Sequence, residues 1–253
     1  MAKNSHTTMQ DNNEHKDISV VILCYKAGKD VASFVEQMKA SLTAHGLTFE
    51  LVLVANYNRH EKDTDQTPSV VRKLAEQDQR IVVVAKEKEG MMGWDLRSGL
   101  AVSTGKTVAL IDGDGQMPAE DVVRVYDALS SGDYDCAKTY RVQRDDGMER
   151  ALISGSYNFI LKALFPKVNV RDANAKPKIF TASALKKLHL TSSGWFIDAE
   201  MVIAGSYLGF RFVEVPTIFH ENKFRRSFVS FRSNFEFFGN LIRYRLTRMH
   251  EFK

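Results

Sequence analysis

Short runs of β-branched and aliphatic residues alternate with helical stretches through the first half of the chain, and this alternation dictates its architecture. Ile18-Ser-Val-Val-Ile-Leu-Cys24 is apolar at nearly every position, as a strand buried on both faces must be. Residues 30–45 then place Val31, Phe34, Val35, Met38 and Leu42 on one helical stripe. Strand-like runs recur over 49–55, 81–85, 107–111 and 134–139, separated by helical segments over 68–77, 93–102 and 119–129. Strands joined by helices of this length return in parallel. The pattern predicts an α/β chain: a mostly parallel central sheet with helices on both faces. In such sheets ligands bind beyond the carboxyl ends of the strands, which singles out loops 25–30, 56–65, 86–93, 112–118 and 140–146.

The second half is less regular. Helices are expected over 148–164 and 196–207, a short strand over 178–180, a strand over 210–215 stopped by Pro216, and one long basic, aromatic helix over 226–249. No G-x-G-x-x-G follows the first strand and no G-x-x-x-x-G-K-[ST] occurs, which removes the usual dinucleotide and P-loop sites. Residues 1–17 are polar and lack the order of a secretory signal, so they read as a disordered tail. No run approaches the roughly 18–20 apolar residues that span a bilayer. Two cysteines, Cys24 and Cys136, make neither a disulfide framework nor a four-cysteine zinc site, and a reduced, cytoplasmic setting is expected.

Charge is unevenly placed. The formal net charge is +4, but residues 222–253 hold eight Lys/Arg against two Asp/Glu, a balance of +6 that leaves −2 for residues 1–221. A basic end on a slightly acidic body implies an anionic partner for one face. No recognised nucleic-acid module accompanies it, so nucleic acid is not the expected partner.

Asp112-Gly-Asp114-Gly-Gln116 stands where the fourth strand runs out. Two carboxylates two residues apart in extended chain can turn toward one cation, and the intervening glycines let backbone approach a ligand. Hard oxygen donors suit Mg²⁺ or Mn²⁺, ions that commonly bridge to substrate phosphates. Pro118 is placed to open the next helix.

Residues 108–120, Val-Ala-Leu-Ile-Asp-Gly-Asp-Gly-Gln-Met-Pro-Ala-Glu, resemble the D-x-D-x-Q-x-P-x-E segment of family 2 inverting glycosyltransferases. The similarity is greatest to the branch typified by dolichyl-phosphate mannosyltransferase and bacterial polyprenyl-phosphate sugar transferases. Tyr25 matches the branch's first-strand tyrosine, and residues 93–105 resemble its G-x-A-x-R-x-G-x-x-x-A-x-G helix. Arg141, Arg150 and Ser154 fall at its R…R-x-x-x-S positions. Asp172, Lys178 and Phe180 resemble a degraded D-x-x-S-G-F-R-x-F, and residues 209–216 its G-x-x-x-x-E-V-P strand.

The resemblance implies a GT-A fold over residues 18–221, with residues 222–253 forming a lid and helix on the same domain. It implies a nucleotide-diphosphate sugar as donor, a polyprenyl phosphate as acceptor, and a hexosyltransferase acting with inversion at the cytoplasmic membrane face. Asp112, Asp114 and Gln116 would hold the metal, and Leu23, Tyr25, Asn56, Gly93, Arg97 and Gly113 would line the donor site. Arg141 and Arg150 would grip the acceptor phosphate, since a guanidinium meets phosphate with two parallel hydrogen bonds. Lys178 would add to that grip, and Lys223, Arg225 and Arg226 would close over the diphosphate.

Asp198 and Glu200 fall near the family's acidic catalytic residue, and on a helix two such neighbours point to different faces. For a hydroxyl acceptor one of them would be the general base; for a phosphate acceptor it would be structural or orient the sugar. Two alternatives to the lipid-phosphate reading therefore stand: an enzyme elongating a glycan hydroxyl, and a GT-A binding module with lost catalysis. Beyond the lid, Phe228, Phe231, Phe235, Phe238 and Ile242 recur at helical spacing among arginines, as either an interfacial helix or a packed one. Departures cluster at the nucleotide side. Where the family reads D-D-x-S-x-D, this chain has Ala55-Asn-Tyr-Asn-Arg59, leaving Asn56 to reach a ribose or base edge without charge. Asp95 also replaces a small residue in the Gly93 helix.

Overall fold

The computed structural model describes residues 16–144, 148–220 and 231–252, with side chains except over 143–153 and 231–237. The first half follows the alternation: β1 (Ile18–Leu23), α1 (Asp30–Ala44), β2 (Phe49–Val54), α2 (Thr67–Gln77), β3 (Ile81–Val84), α3 (Met92–Leu100), β4 (Thr107–Asp112) and α4 (Glu120–Ser130). Then come β5 (Cys136–Arg144), α5 (Met148–Leu164), β6 (Lys178–Thr181), α6 (Ala182–Lys187), α7 (Ile197–Tyr207), β7 (Phe212–Phe219) and α8 (Phe231–Thr247).

The sheet has the order β3-β2-β1-β4-β6-β5-β7. Side chains of β1 alternate between two apolar layers. Val20 and Ile22 pack with Phe34, Met38 and Val125 on one face, while Val21 and Leu23 pack with Leu96, Phe180 and Met201 on the other. A third cluster joins α5, α7 and α8 through Tyr157, Leu161, Phe165, Phe196, Leu241 and Tyr244.

Register sets the site. Leu23 at the end of β1 lies opposite both Val54 and Asp112, so three strand ends stop in line where the strand order reverses. β6 runs antiparallel to both β4 and β5, with Lys178 opposite Leu110 and Lys138. Its amino end, preceded by Lys176 and Pro177, therefore arrives at the carboxyl end of β4, beside Asp112.

One expectation from periodicity is corrected, and one helix, α6, is not foreseen by it. Pro216 does not stop its strand: β7 runs on to Phe219 with Pro216 paired opposite Tyr140. As the sheet's last strand β7 has one unpaired edge, where a missing N–H is tolerated. The six-residue α6 is too short to show a stripe; Thr181 caps it, its Oγ1 accepting from Ala184 N at 3.1 Å. Residues 226–230 of the expected long helix lie outside the described residues, and α8 is described from Phe231. Among the described residues, no helix is long and apolar enough to cross a membrane.

Candidate active site

Asp112 ends β4, and Gly113 N donates to Leu23 O at 2.9 Å. A Cβ on Gly113 would sit 2.9 Å from Ile22 Cγ2, so the contact with β1 itself calls for glycine here. At Gly115 the φ of +71° supplies the turn, and Asp114 Oδ1 accepts from Gln116 N at 3.1 Å. Gln116 is tied to the end of β7: its Nε2 donates to His220 O at 3.1 Å, and its carbonyl accepts from His220 N at 2.9 Å. Pro118 does not open α4: Ala119 is the N-cap and the helix begins at Glu120, two residues after the proline.

Among the described residues no three His, Cys, Asp or Glu side chains form a metal cage. Two carboxylates on one strand end nevertheless fit Mg²⁺ or Mn²⁺ in the mode where one or two carboxylates share the ion with substrate phosphates. Asp112 and Asp114 would hold it, and a bound ion would neutralise charge on a departing diphosphate.

Behind this pair lies a buried cluster of alternating charge. Lys176 Nζ is 2.8 Å from Asp112 Oδ1 and 3.5 Å from Asp198 Oδ2, while Lys178 Nζ is 2.5 Å from Asp198 Oδ1. Burial opposes the charge on Lys176, but Asp112 and Asp198 prevail and raise its pKa above the ordinary lysine value. Burial dominates at Lys178 and brings its pKa down to about 8 despite Asp198. Asp198 is also disfavoured by burial, yet the two ammonium groups hold its carboxyl below the ordinary range. Lys178 is fully buried, which places it behind the cleft wall as the partner of Asp198 rather than at an acceptor phosphate.

Asp198 and Glu200 diverge, as their spacing on α7 requires. Glu200 accepts from Thr191 N and Oγ1 at 3.1 and 2.9 Å and from Ser192 N at 2.9 Å, fixing loop 191–194. That loop meets the start of α3: Gly93 N donates to Gly194 O at 3.1 Å. A Cβ on Gly93 would lie 2.5 Å from Ser192 O and 2.8 Å from Gly194 O, so the contact requires glycine. Arg97 reaches the same loop, donating from Nη2 to Ser193 Oγ at 2.9 Å. It also lines a separate cavity of about 500 Å³ with Leu100, Thr104, Val108 and Lys186. Val108 precedes Asp112 by four strand residues, roughly 13 Å.

At the ends of β1 and β2 a polar cluster surrounds Tyr25. Its hydroxyl accepts from Asn58 Nδ2 at 2.8 Å and donates to Glu61 Oε2 at 3.1 Å. Lys26 Nζ lies 2.6 Å from Glu61 Oε1, and Lys88 Nζ stands 4.2 Å from the Tyr25 ring centroid. Glu61 is disfavoured by partial burial, but bonds from Lys26, Asn58 and Tyr25 pull its pKa down to about 2. Loops 56–65 and 86–93 are legible in the sequence as ligand loops, but Asn58, Glu61 and Lys88 within them are not. Asn56 is corrected from an edge-reading residue to a buried organiser. It is 1% exposed, its Nδ2 donates to Asp95 Oδ1 at 2.9 Å and Ser98 Oγ at 3.1 Å, and its Oδ1 accepts from Lys86 N at 3.0 Å. Lys88 pairs with the other oxygen of Asp95. The two departures noted in the sequence, Asn56 and Asp95, thus touch.

At the end of β5, Arg141 makes a two-point pair with Asp172, Nε to Oδ2 at 2.6 Å and Nη2 to Oδ1 at 2.8 Å. Arg150, Lys223, Arg225 and Arg226 lie outside the described side chains.

An α/β sheet with an Asp-x-Asp pair at the reversal of its strand order has the layout of the GT-A fold. Glycosyl transferase family 2 matches residues 19–188, and the chain belongs to that family. Its relatives include glycosyltransferase AglD of Haloferax volcanii, 25% identical over 79% of this chain and 32% of that one. They also include an undecaprenyl-phosphate 4-deoxy-4-formamido-L-arabinose transferase of Edwardsiella ictaluri (25% identity, 82% of this chain, 61% of that one). A dolichyl-phosphate beta-glucosyltransferase of Saccharomyces cerevisiae is 24% identical over 83% and 70%. The chain thus spans about a third of the first relative and three fifths of the second. Glucosyl-3-phosphoglycerate synthase of Mycobacterium tuberculosis, solved with Mn²⁺ and UDP, shares the fold. Its TM-score is 0.65 at 16% identity, over 94% of this chain and 80% of that one.

Proposed function

We propose that the chain transfers a sugar, with inversion, from a nucleotide-diphosphate sugar to a polyprenyl phosphate, assisted by Mg²⁺ or Mn²⁺ at Asp112 and Asp114. The observation that carries this reading is the state of the two acids on α7. A hydroxyl acceptor needs a general base whose pKa lies near the working pH. Asp198 is clasped by two buried lysines that hold it ionised and weakly basic, and Glu200 is spent on loop 191–194. A lipid phosphate arrives as an anionic nucleophile and needs positioning alone. The undecaprenyl-phosphate and dolichyl-phosphate transferases among the relatives support the same acceptor class. The Mn²⁺ and UDP of the structural neighbour support the donor and cation.

The departing diphosphate would be met by the cation and the basic segment after His220, and the acceptor phosphate by Arg150, with Arg141 adding charge from its pair with Asp172. Peripheral contact with anionic membrane would bring the lipid acceptor within reach. The test is a thermal-shift screen of nucleotide-diphosphate sugars with and without Mn²⁺. At least one donor should stabilise the protein only with metal, and Asp114→Ala should abolish the effect. A transfer assay with short polyprenyl phosphates follows. Transfer to a sugar hydroxyl but not to lipid phosphate, with a donor in hand, would overturn the acceptor.

A further inference from the structure

Lys176 belongs to neither the metal ligands nor the arginines assigned to phosphate, yet it makes the direct contact with Asp112. Its ammonium has three neighbours: Asp112 Oδ1 at 2.8 Å, Met92 Sδ at 3.4 Å and Asp198 Oδ2 at 3.5 Å. The side chain is 3% exposed. Its backbone is pinned as well, since Lys176 O accepts from Thr139 Oγ1 at 2.6 Å and Pro177 O accepts from Thr139 N at 3.1 Å. In the D-x-x-S-G-F-R-x-F pattern that this segment resembles, Lys176 stands at the glycine, a position that brings no charge of its own.

We propose that Lys176 is a built-in counter-cation of Asp112 that makes divalent-metal binding conditional on the nucleotide diphosphate. The inference rests on the metal reading given above and concerns the order in which that site fills. Asp112 and Asp114 bring two negative charges to the strand end, and Lys176 returns one positive charge at contact distance. A divalent ion arriving alone meets a half-neutralised site and the repulsion of a buried ammonium. An ion arriving with a diphosphate brings its own compensating anion, and the ammonium then adds to the charge that holds the phosphates. Asp198, paired with Lys178, cannot draw Lys176 away without exposing a second buried charge.

The test is Mn²⁺ binding read from the electron paramagnetic resonance signal of the free ion, with and without UDP or GDP. The proteins compared are wild type, Lys176→Gln, Lys176→Met and Lys176→Arg, each checked for folding by near-ultraviolet circular dichroism. Without nucleotide, the Gln and Met variants should bind Mn²⁺ about tenfold or more tightly than wild type, the equivalent of about 1.4 kcal/mol. Saturating nucleotide diphosphate should narrow that gap. Lys176→Arg keeps the charge and the fold and should bind as weakly as wild type without nucleotide. Equal nucleotide-free affinities in wild type and folded Gln or Met variants, or tight binding by the Arg variant, would overturn the inference alone. Failure of wild type to bind Mn²⁺ with either nucleotide would overturn the metal reading and the inference with it.

Discussion

Arg141 grips Asp172 through two parallel hydrogen bonds of 2.6 and 2.8 Å, joining the end of β5 to the segment that leads into β6. Both side chains are about nine-tenths buried, at 11% and 10% exposure. Lys138 donates to the backbone carbonyl of Asp172, and its charge adds to that of Arg141 in keeping the carboxyl ionised. Asp172→Asn would leave Arg141 without its anion, and removing one partner of a buried pair costs about 3–5 kcal/mol. Urea unfolding at neutral pH should show a loss in that range. A loss under about 1 kcal/mol would mean that water, not Asp172, satisfies Arg141.

Acid should weaken the fold along a defined course. Burial opposes the charge on Asp172 and Asp198, but neighbouring cations hold both carboxyls below the ordinary range, and Glu61 is held down to about 2. In the unfolded chain these groups take up protons near pH 4, so between the unfolded and folded values the unfolded state binds more protons. Their stabilisation is intact above about pH 5 and is lost as pH falls through the folded values. Asp95 runs the other way, because burial raises its pKa despite Lys88. The urea midpoint should fall steadily from about pH 5 to pH 3, less steeply in Asp172→Asn. An unchanged midpoint over that interval would refute the assignment.

The sheet was legible because buried parallel strands need unbroken apolar runs, and Ile18–Leu23 and Phe49–Val54 announce themselves that way. The Asp-x-Asp pair was legible because its chemistry lies within five residues at a strand end. Lys176 was not, since its meeting with Asp112 depends on β6 running antiparallel, which no local pattern reveals. The pairing of Asn56 with Asp95 across 39 residues was hidden for the same reason. Each looked like a separate loss of a family residue, whereas together they form one buried bond with Lys88 as counter-ion.

The Tyr25 cluster should carry nucleotide recognition. It occupies the loops after β1 and β2, where ligands of such sheets bind, and the Tyr25 ring, with Lys88 over it, is only half-buried. An aromatic platform contributes about 1–3 kcal/mol per base. Tyr25→Ala should therefore weaken nucleotide-diphosphate binding about tenfold in calorimetric titration. Unchanged affinity in the folded variant would move the nucleotide elsewhere.

Gly93→Ala tests whether loop 191–194 must close on α3. The added methyl would meet two backbone carbonyls at 2.5 and 2.8 Å, and backbone gives way less readily than a flexible side chain. Overpacking of this kind costs about 1–3 kcal/mol. The melting temperature should fall, and donor affinity with it, because Glu200 fixes the same loop. A melting temperature equal to wild type would show that the loop can move aside.

If the chain meets a membrane, one face of α8 should carry the contact. Leu241 and Tyr244 pack inward, whereas Ile242 and Leu246 are 54% and 78% exposed, flanked by exposed Arg243 and Arg245. On the adjoining α5, Phe159 is 74% exposed, and Tyr157 and Phe238 join the two helices with ring centroids 5.9 Å apart. Exposed apolar side chains beside arginines fit the boundary between acyl chains and anionic headgroups. Each buried aliphatic side chain contributes about 1.5–3 kcal/mol, and each surface cation about 1 kcal/mol that salt removes. Co-sedimentation with phosphatidylglycerol-containing vesicles should therefore fall about tenfold or more in Ile242→Glu/Leu246→Glu. Arg243→Gln/Arg245→Gln should instead weaken binding modestly and flatten its salt dependence. If wild type and both double variants sediment alike, this face is not the one that meets lipid.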